Sequence, residues 1–495
     1  MKNKKRPLGP VVEIILMGII ISLISLVCNL LGVSGYITDS STFETTMITV
    51  QNILSKKGIK YILEDSLVNF RNLEPLVMII MSLIAVSIME ASGFLKQLFN
   101  IFTKIKPKYV TFIVFFVGII STILGDYSYA LLLPLSGILY KYIHKDSSLG
   151  ILTMFVAITV GYGIGIIANY QSYELGLLTQ TAAQDITQNY KYILSSNIYF
   201  MLISTAIISL LGTIMIENIG KKYPRNEEID NLNISKKARN ITLVAFIVMV
   251  ITFAYCIIPG LPFSGMLLKD DEAIYVAKLF APGAPLKDGL MFIIIGVLMV
   301  CGFIYGTVSR NIKNSSDYSN ALTVSFKDTG YIFVLLFFMS LLYGIINYTK
   351  IDQVIITNII NFIGTSNFNG LILVITSFIS ILIMTILMPN TLTKWNLIAP
   401  VYIPLLMRAN ITPSFTQSIF LAADSAGKLF SPIYIYLIVT IGFIYKYRKD
   451  DTTSIFQTMK RIMPVALVLT LIWFVIVIGW YLTGLPIGIN TSVTL

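Results

Sequence analysis

Charge is scarce in this chain. Only 12% of its 495 residues are Asp, Glu, Lys or Arg, about half the share of a soluble domain. Charge-free runs of about 20 residues, each long enough to span a bilayer, recur along its length. No stretch between them exceeds about 45 residues, which leaves no room for a separate catalytic domain. Histidine is nearly absent: His144 stands alone, so a His-rich metal or haem centre is excluded, and a loop position is expected for it. The three cysteines, Cys28, Cys256 and Cys301, form no CxxC pair and read as buried thiols. What is abundant is apolar: 56% of residues are hydrophobic, and the mean hydropathy is +0.80. The expectation is an all-α polytopic membrane protein.

The net charge of +11 reads as topology rather than nucleic-acid binding, because Lys and Arg collect in cytoplasmic loops. Lys2, Lys4, Lys5 and Arg6 place the N-terminus inside. The first apolar run, 11–31, is too long for a signal-peptide core and reads as a retained span. An outside segment, 32–75, and a span over 76–95 follow. Residues 109–143 are apolar but broken at Gly125-Asp126, with basic residues on both flanks, which predicts a re-entrant hairpin opening inward. Residues 150–186 are broken by Gly161-Tyr-Gly-Ile-Gly165 and Asn169-Tyr-Gln-Ser-Tyr-Glu174. They read as an interrupted span, tolerable only where protein or a watery cavity covers it. Spans are expected at 193–216, 241–259, 289–308 and 328–348.

The pattern then recurs. Residues 370–408 are broken at Pro389-Asn390-Thr391-Leu392-Thr393 and read as a hairpin opening outward. Residues 415–445, broken around Asp424–Lys428, read as a second interrupted span, and 463–483 as the last span, leaving the C-terminus outside. This orientation puts 24 of the 36 Lys and Arg residues inside. The order hairpin, broken span, span occurs twice with opposite orientation, an inverted-repeat transporter architecture of about nine transmembrane helices plus two re-entrant helical hairpins. Paired broken segments point to a transport site at the bilayer midplane. Four segments follow: scaffold helices with an outside segment over 1–108, the first hairpin unit over 109–216, a basic loop and further scaffold helices over 217–348, and the second hairpin unit over 349–495.

Ionisable residues at membrane depth carry the functional expectations, since burying a charge in lipid costs several kcal/mol. Asp126 sits at the first tip beside Ser121 and Thr122, an oxygen-rich cation site, or alternatively a cap on the second arm. Asp424 has Lys428 one helical turn on, so the two can meet on one face, either as a structural pair or as a fixed positive charge in the site. Lys394-Trp395 follows the second tip, where the indole could anchor at an interface or stack on an aromatic ligand. Glu13 and Glu90 read as helix–helix contacts, and Glu174 stays open.

The blocks Thr393-Lys-Trp-Asn-Leu-Ile-Ala-Pro-Val-Tyr-Ile-Pro404, Ile411-Thr-Pro-Ser-Phe-Thr-Gln417 and Ala423-Asp-Ser-Ala-Gly-Lys-Leu-Phe-Ser-Pro432 resemble the AbgT family of p-aminobenzoyl-glutamate transporters. Gly118-Ile-Ile-Ser-Thr-Ile-Leu-Gly-Asp-Tyr-Ser-Tyr129, Leu133-Pro-Leu135, Ala168-Asn169 and Asn197-Ile-Tyr-Phe-Met201 agree in order. The resemblance implies a homodimer in the inner membrane, a mobile core of hairpins and broken spans on a scaffold, and coupling to a sodium or proton gradient. The implied cargo is p-aminobenzoyl-glutamate or a related aryl-amino acid or antimetabolite. By matched position the resemblance implies functional roles for Trp395, Pro413, Asp424 and Asn169. With the polar residues at the breaks, the expected substrate side is Thr385, Asn390, Trp395, Pro413, Asp424, Ser425 and Lys428, and the expected cation site is Ser121, Thr122, Asp126 and Asn169. No other metal, cofactor or nucleic acid is implied. The sequence departs from the family pattern at Thr122, Thr385 and Lys428, where the family carries Asn. An ammonium at position 428 would repel a sodium ion there and neutralise Asp424, so Lys428 is expected to stand in for a second coupling ion. Rival readings are a carboxylate or dicarboxylate exchanger unrelated to folate metabolism, a passive channel, and a membrane-embedded hydrolase. The last lacks a Ser-His pair and an HExxH motif.

Overall fold

Proline, glycine and asparagine decide where the apolar helices of this protein stop. The computed structural model describes residues 7–38, 44–162, 169–221, 223, 234–447 and 453–495. Among these, nine helices are long and apolar enough to cross a membrane. Seven of the nine stand as unpaired helices: Pro10–Leu30, Glu74–Ala91, Ile198–Gly220, Lys236–Ile257, Pro285–Ser309, Gly330–Thr349 and Ile455–Thr483. The other two are first arms of helix–turn–helix units, Pro107–Ile120 with Tyr127–Tyr142 and Gly370–Leu387 with Thr391–Arg408. The last helix starts eight residues before the expected 463, because Ser454 caps it through the Gln457 amide at 3.3 Å and Glu13 accepts from the Ile455 amide at 2.6 Å. Glu13 thereby ties the first helix to the last.

The first turn needs Gly125. Its φ is +58°, and a Cβ there would lie 2.8 Å from the Tyr170 ring. The second turn needs Pro389. It holds Met388 out of the helical region, at φ −132° and ψ 89°, and Asn390 then caps the next helix by accepting from the Thr393 amide at 2.9 Å.

Two interrupted units sit between these elements. The first is Ser147–Gly161 followed by Tyr170–Gln184. Its glycine-rich break, including residues 163–165 and Ala168, lies outside the described residues. Asn169 caps the second half by accepting from the Ser172 amide at 2.7 Å. The second is Pro413–Lys428 followed by Ile435–Tyr447. Here the expected position of the break is corrected: Asp424–Lys428 is the last turn of an intact helix, and the interruption covers 429–434. Pro432, which cannot continue a helix, accounts for the shift.

Every residue of Ser147–Gly161 and of Pro413–Lys428 is buried, so these two half-helices form the centre of the molecule. Lys236–Ile257 is the opposite case. Only Ala238 and Thr242 of its residues are buried, and its apolar surface faces outward, as suits a lipid-facing helix.

Not everything is helical as expected. Ser34–Thr38 and Thr45–Thr49 pair antiparallel, with Ser34 opposite Thr49 and Thr38 opposite Thr45. Thr- and Ile-rich five-residue runs favour strands. The hairpin rests on a further amphipathic helix, Ile351–Gly364. Gly35 allows the approach, since a Cβ there would meet Thr357 Oγ1 at 2.3 Å. A second amphipathic helix, Lys56–Arg71, packs on Gly330–Thr349.

Candidate functional site

The two turns, the residues flanking the first interruption, the second interruption and the helices Glu74–Ala91 and Gly330–Thr349 line a cavity of about 640 Å³. Three of the expected site residues line it: Asp126, Asn390 and Lys428. Glu174 and Glu74 are also on its wall, with Tyr162, Tyr170, Tyr434 and Tyr436 forming an aromatic belt. The remaining expected residues lie behind this wall.

Asp424 is the hub of the second half. Its carboxylate is 1% exposed and carries two ammonium groups, not one. Lys428 Nζ is 3.0 Å from Oδ2, and Lys394 Nζ bonds to Oδ1. The hydroxyl of Thr391 donates to Oδ2 at 2.8 Å, and Thr385 Oγ1 is 3.3 Å from Oδ1. Lys394 is fully buried and also donates to the Met388 carbonyl at 2.9 Å. Lys428 donates to Thr391 Oγ1 at 2.6 Å and lies 3.8 Å from the centre of the Tyr162 ring. The oxygen cage at the second tip is therefore filled by the chain's own ammoniums. Sequence reasoning paired Asp424 with Lys428 but passed over Lys394. The signal was available, since Lys394 is one of three basic residues within the apolar segments.

Buried ion pairs of this kind are costly to desolvate and strongly destabilising to break. They fix the second tip against Pro413–Lys428. Gly427 lets the two elements close up, for a Cβ there would stand 2.6 Å from Thr385 Cβ.

The indole of Trp395 is neither at an exposed boundary nor on the cavity. It is fully buried, packs 4.3 Å from the Phe420 ring, and donates to Thr179 Oγ1 at 3.1 Å. Thr179 in turn donates to Gln417 Oε1 at 2.6 Å. This chain of contacts joins the second hairpin to both interrupted units. Pro413 occupies the first turn of its helix behind the Thr412 cap, and Ser425 donates back to the Leu421 carbonyl at 2.9 Å. Both are buried away from the cavity.

In the first half, Asp126 heads the helix Tyr127–Tyr142 but makes no side-chain cap bond, so the capping alternative is not what is found. Its carboxylate accepts from the Tyr162 hydroxyl at 2.7 Å, and Gln171 Nε2 donates to the same hydroxyl. Ser121 and Thr122 turn their hydroxyls back onto the Gly118 and Ile119 carbonyls, each at 2.7 Å. Asn169 uses both ends of its amide: Oδ1 caps its helix, and Nδ2 donates to the Thr122 carbonyl at 2.7 Å. Ser121, Thr122 and Asn169 thus hold the tip together, while Asp126 faces the cavity.

Glu174, left open by the sequence, pairs with Lys287 of Pro285–Ser309. Glu90 accepts from Ser325 Oγ at 2.9 Å. No group of three or more His, Cys, Asp or Glu side chains suited to a metal occurs among the described residues.

Comparison with known proteins covers nearly the whole chain. Residues 5–495 match the family described as "AbgT putative transporter family". The chain is 21% identical to the p-aminobenzoyl-glutamate transport protein of Escherichia coli K12 over 453 residues, covering 90% of this chain and 87% of that protein. Its fold is like that of the Alcanivorax borkumensis YdaH transporter (TM-score 0.51, 23% identity, 97% of this chain and 100% of that one). It is also like Neisseria gonorrhoeae MtrF, described as illuminating a class of antimetabolite efflux pumps (TM-score 0.50, 23% identity, 98% of each chain). Two broken helices and two helical hairpins meeting at one charged cavity, in a chain matched from end to end, make this protein a member of the AbgT family of multi-pass membrane transporters and not an enzyme.

Proposed function

We propose that this chain is a secondary active transporter of an organic anion bearing an aromatic ring, of the p-aminobenzoyl-glutamate or antimetabolite type. The observation that carries the reading is the cavity: about 640 Å³, with the Lys428 ammonium on one wall and five tyrosines around it. That volume falls within the range of about 300–1,000 Å³ usual for small-molecule sites. A ligand carboxylate would meet Lys428 and the N-terminus of Thr391–Arg408, where free amides point outward. The ring would lie against the tyrosines. Ion coupling drives the cycle, with sodium or a proton as the coupling ion. Lys428 takes the place of a second ion, because its ammonium already occupies the oxygens of Asp424 and Thr391.

In this proposal the hairpins are re-entrant, the units 109–216 and 349–495 form the moving core, and 1–108 with 217–348 forms the scaffold of a homodimer. The protein sits in the inner membrane with its N-terminus inside and C-terminus outside.

One observation favours the carboxylate-exchanger alternative: Trp395 is sealed from the cavity and cannot stack on a ligand there. Thermal stability of the purified protein separates the two. The ligands are p-aminobenzoyl-glutamate, its two halves and plain dicarboxylates, each in sodium and in potassium or choline. A ligand that binds only the folded state raises the midpoint by mass action. Stabilisation by the aryl-glutamate supports the proposal, and stabilisation without sodium supports the role given to Lys428. Stabilisation by dicarboxylates alone overturns the aryl reading in favour of the exchanger.

A further inference from the structure

Opposite charges stand apart on the cavity wall. Lys428 is the one basic residue on the lining, and it donates to Thr391 in the first turn of Thr391–Arg408. Four carboxylates share the rest of the wall: Glu74, Asp126, Glu174 and Asp352. Three of them are engaged. Glu174 pairs with Lys287, Asp126 accepts from the Tyr162 hydroxyl at 2.7 Å, and Asp352 accepts from the Gln353 amide at 2.8 Å. Glu74 is the exception. It begins the helix Glu74–Ala91 and is exposed to the cavity, and its carboxylate receives no hydrogen bond or ion pair from any described residue.

The charged groups that act on Glu74 are Asp126 and Glu174, both of its own sign; Lys428 is not among them. Contacts along the wall give the order. The Lys428 ammonium lies 3.8 Å from the centre of the Tyr162 ring, the hydroxyl of that ring meets Asp126, and Asp126 is the carboxylate whose field reaches Glu74. An unpartnered carboxylate among like charges stabilises nothing in the ligand-free protein. It is an acceptor left open to the space where a ligand would lie.

We propose that Glu74 sets which way round the ligand binds, by accepting a hydrogen bond from the para-amino group of its ring while its carboxylates lie at Lys428. The proposal rests on the transport reading above and narrows its substrate class. Both carboxylates of p-aminobenzoyl-glutamate belong to its glutamate half, the end given to Lys428 and the N-terminus of Thr391–Arg408. The opposite end is an aryl amine, which is neutral at physiological pH and carries N–H donors. A hydrogen bond to an ionised acceptor is roughly twice as strong as one between neutral groups. A carboxylate in the place of the amine would instead meet Glu74 and Asp126 and be repelled. The class that fits is an elongated molecule with its anionic groups at one end and an N–H donor at the other. A molecule with a carboxylate at each end is disfavoured by the same wall.

The test is the affinity of the purified protein for three benzoyl-glutamates that differ only at the para position, which carries amino, hydrogen or carboxylate. Wild type should bind the amino compound about tenfold more tightly than the unsubstituted one, as loss of one hydrogen bond to a charged group requires, and the para-carboxylate compound most weakly. Glu74→Ala should bind the amino and unsubstituted compounds alike. Glu74→Lys should reverse the order and bind the para-carboxylate compound most tightly, a gain that a merely structural role for Glu74 does not give. Because Glu74 has no partner, the ligand-free thermal midpoints of both variants should be no lower than that of wild type, which separates lost recognition from lost folding. If Glu74→Ala keeps the full preference for the amino compound, or Glu74→Lys gains nothing for the para-carboxylate one, the proposal is wrong. Equal binding of the amino and unsubstituted compounds by wild type also overturns it and leaves the transport reading intact. Binding of none of the three by wild type overturns the transport reading and this proposal with it.

Discussion

Replacing Asp424 with Asn should do far more damage than replacing either lysine that depends on it. Asp424 is bonded to Lys394 and lies 3.0 Å from Lys428, and all three side chains are 0–2% exposed. Asp424→Asn strands two buried ammoniums at once. Breaking one buried pair by removing a partner costs about 3–5 kcal/mol, so this variant should lose at least that. Lys394→Met has a different consequence. Asp424 keeps Lys428 and the Thr391 hydroxyl at 2.8 Å, and the cluster falls from a surplus positive charge to neutrality. What Lys394→Met forfeits is one pair and the donor to the Met388 carbonyl, and an unsatisfied buried acceptor costs about 1–3 kcal/mol. The double variant Asp424→Asn/Lys394→Met leaves only one ammonium without a partner. It should therefore be more stable than Asp424→Asn alone, a non-additivity that a mutant cycle reads directly. The assay is the fraction of monodisperse protein surviving a heating series in detergent. The reasoning is refuted if Lys394→Met is as unstable as Asp424→Asn, or if the double variant is worse than both.

Other consequences follow from single contacts. Gly427→Ala places a Cβ 2.6 Å from Thr385 Cβ and 2.9 Å from the Leu382 carbonyl; such overpacking costs about 1–3 kcal/mol, seen as a lowered thermal midpoint. Trp395→Phe keeps the ring on Phe420 and loses the bond to Thr179. Because Thr179 retains Gln417, the loss should be about 1 kcal/mol, with ligand affinity unchanged for aryl and non-aryl ligands alike; a selective loss of aryl binding contradicts the buried position. Glu174→Gln or Lys287→Gln removes a part-exposed pair and should cost under about 1 kcal/mol of stability. Yet the pair joins the first interrupted unit to the helix Pro285–Ser309. Transport rates should change in both single variants and recover in the swap Glu174→Lys/Lys287→Glu.

Much of the fold was legible because a bilayer forces long apolar runs, and their interruptions stand out against them. Gly125-Asp126 and Pro389-Asn390 marked both turns. The second interruption was misplaced by several residues because polar side chains were read as the break. Asp424 and Lys428 are held inside an intact helix by pairing with each other and with the second tip, and it is Pro432 that ends regular structure. The strand pair at 34–49 was missed because its Thr- and Ile-rich runs are short and lie within a polar segment read only as a loop, and the helix Ile351–Gly364 on which it packs is remote in sequence.

The site was legible by residue type and much less by role. Asp126 and Lys428 were found as charges at membrane depth, and both line the cavity. Asn169, Ser121 and Thr122 share the polarity of cation ligands, yet their bonds are to backbone groups of their own unit. Tyr162 became visible only when the chain was folded, since its partner Asp126 is 36 residues away in sequence; Lys394 stood out as a charge in an apolar segment, but its pairing with Asp424, 30 residues on, did not.

The most direct test of the account is uptake in proteoliposomes preloaded with unlabelled p-aminobenzoyl-glutamate. Labelled p-aminobenzoyl-glutamate should accumulate with saturation, compete with the unlabelled compound, and resist excess succinate. Accumulation that never saturates, or that succinate supports and the aryl-glutamate does not, contradicts the central claim.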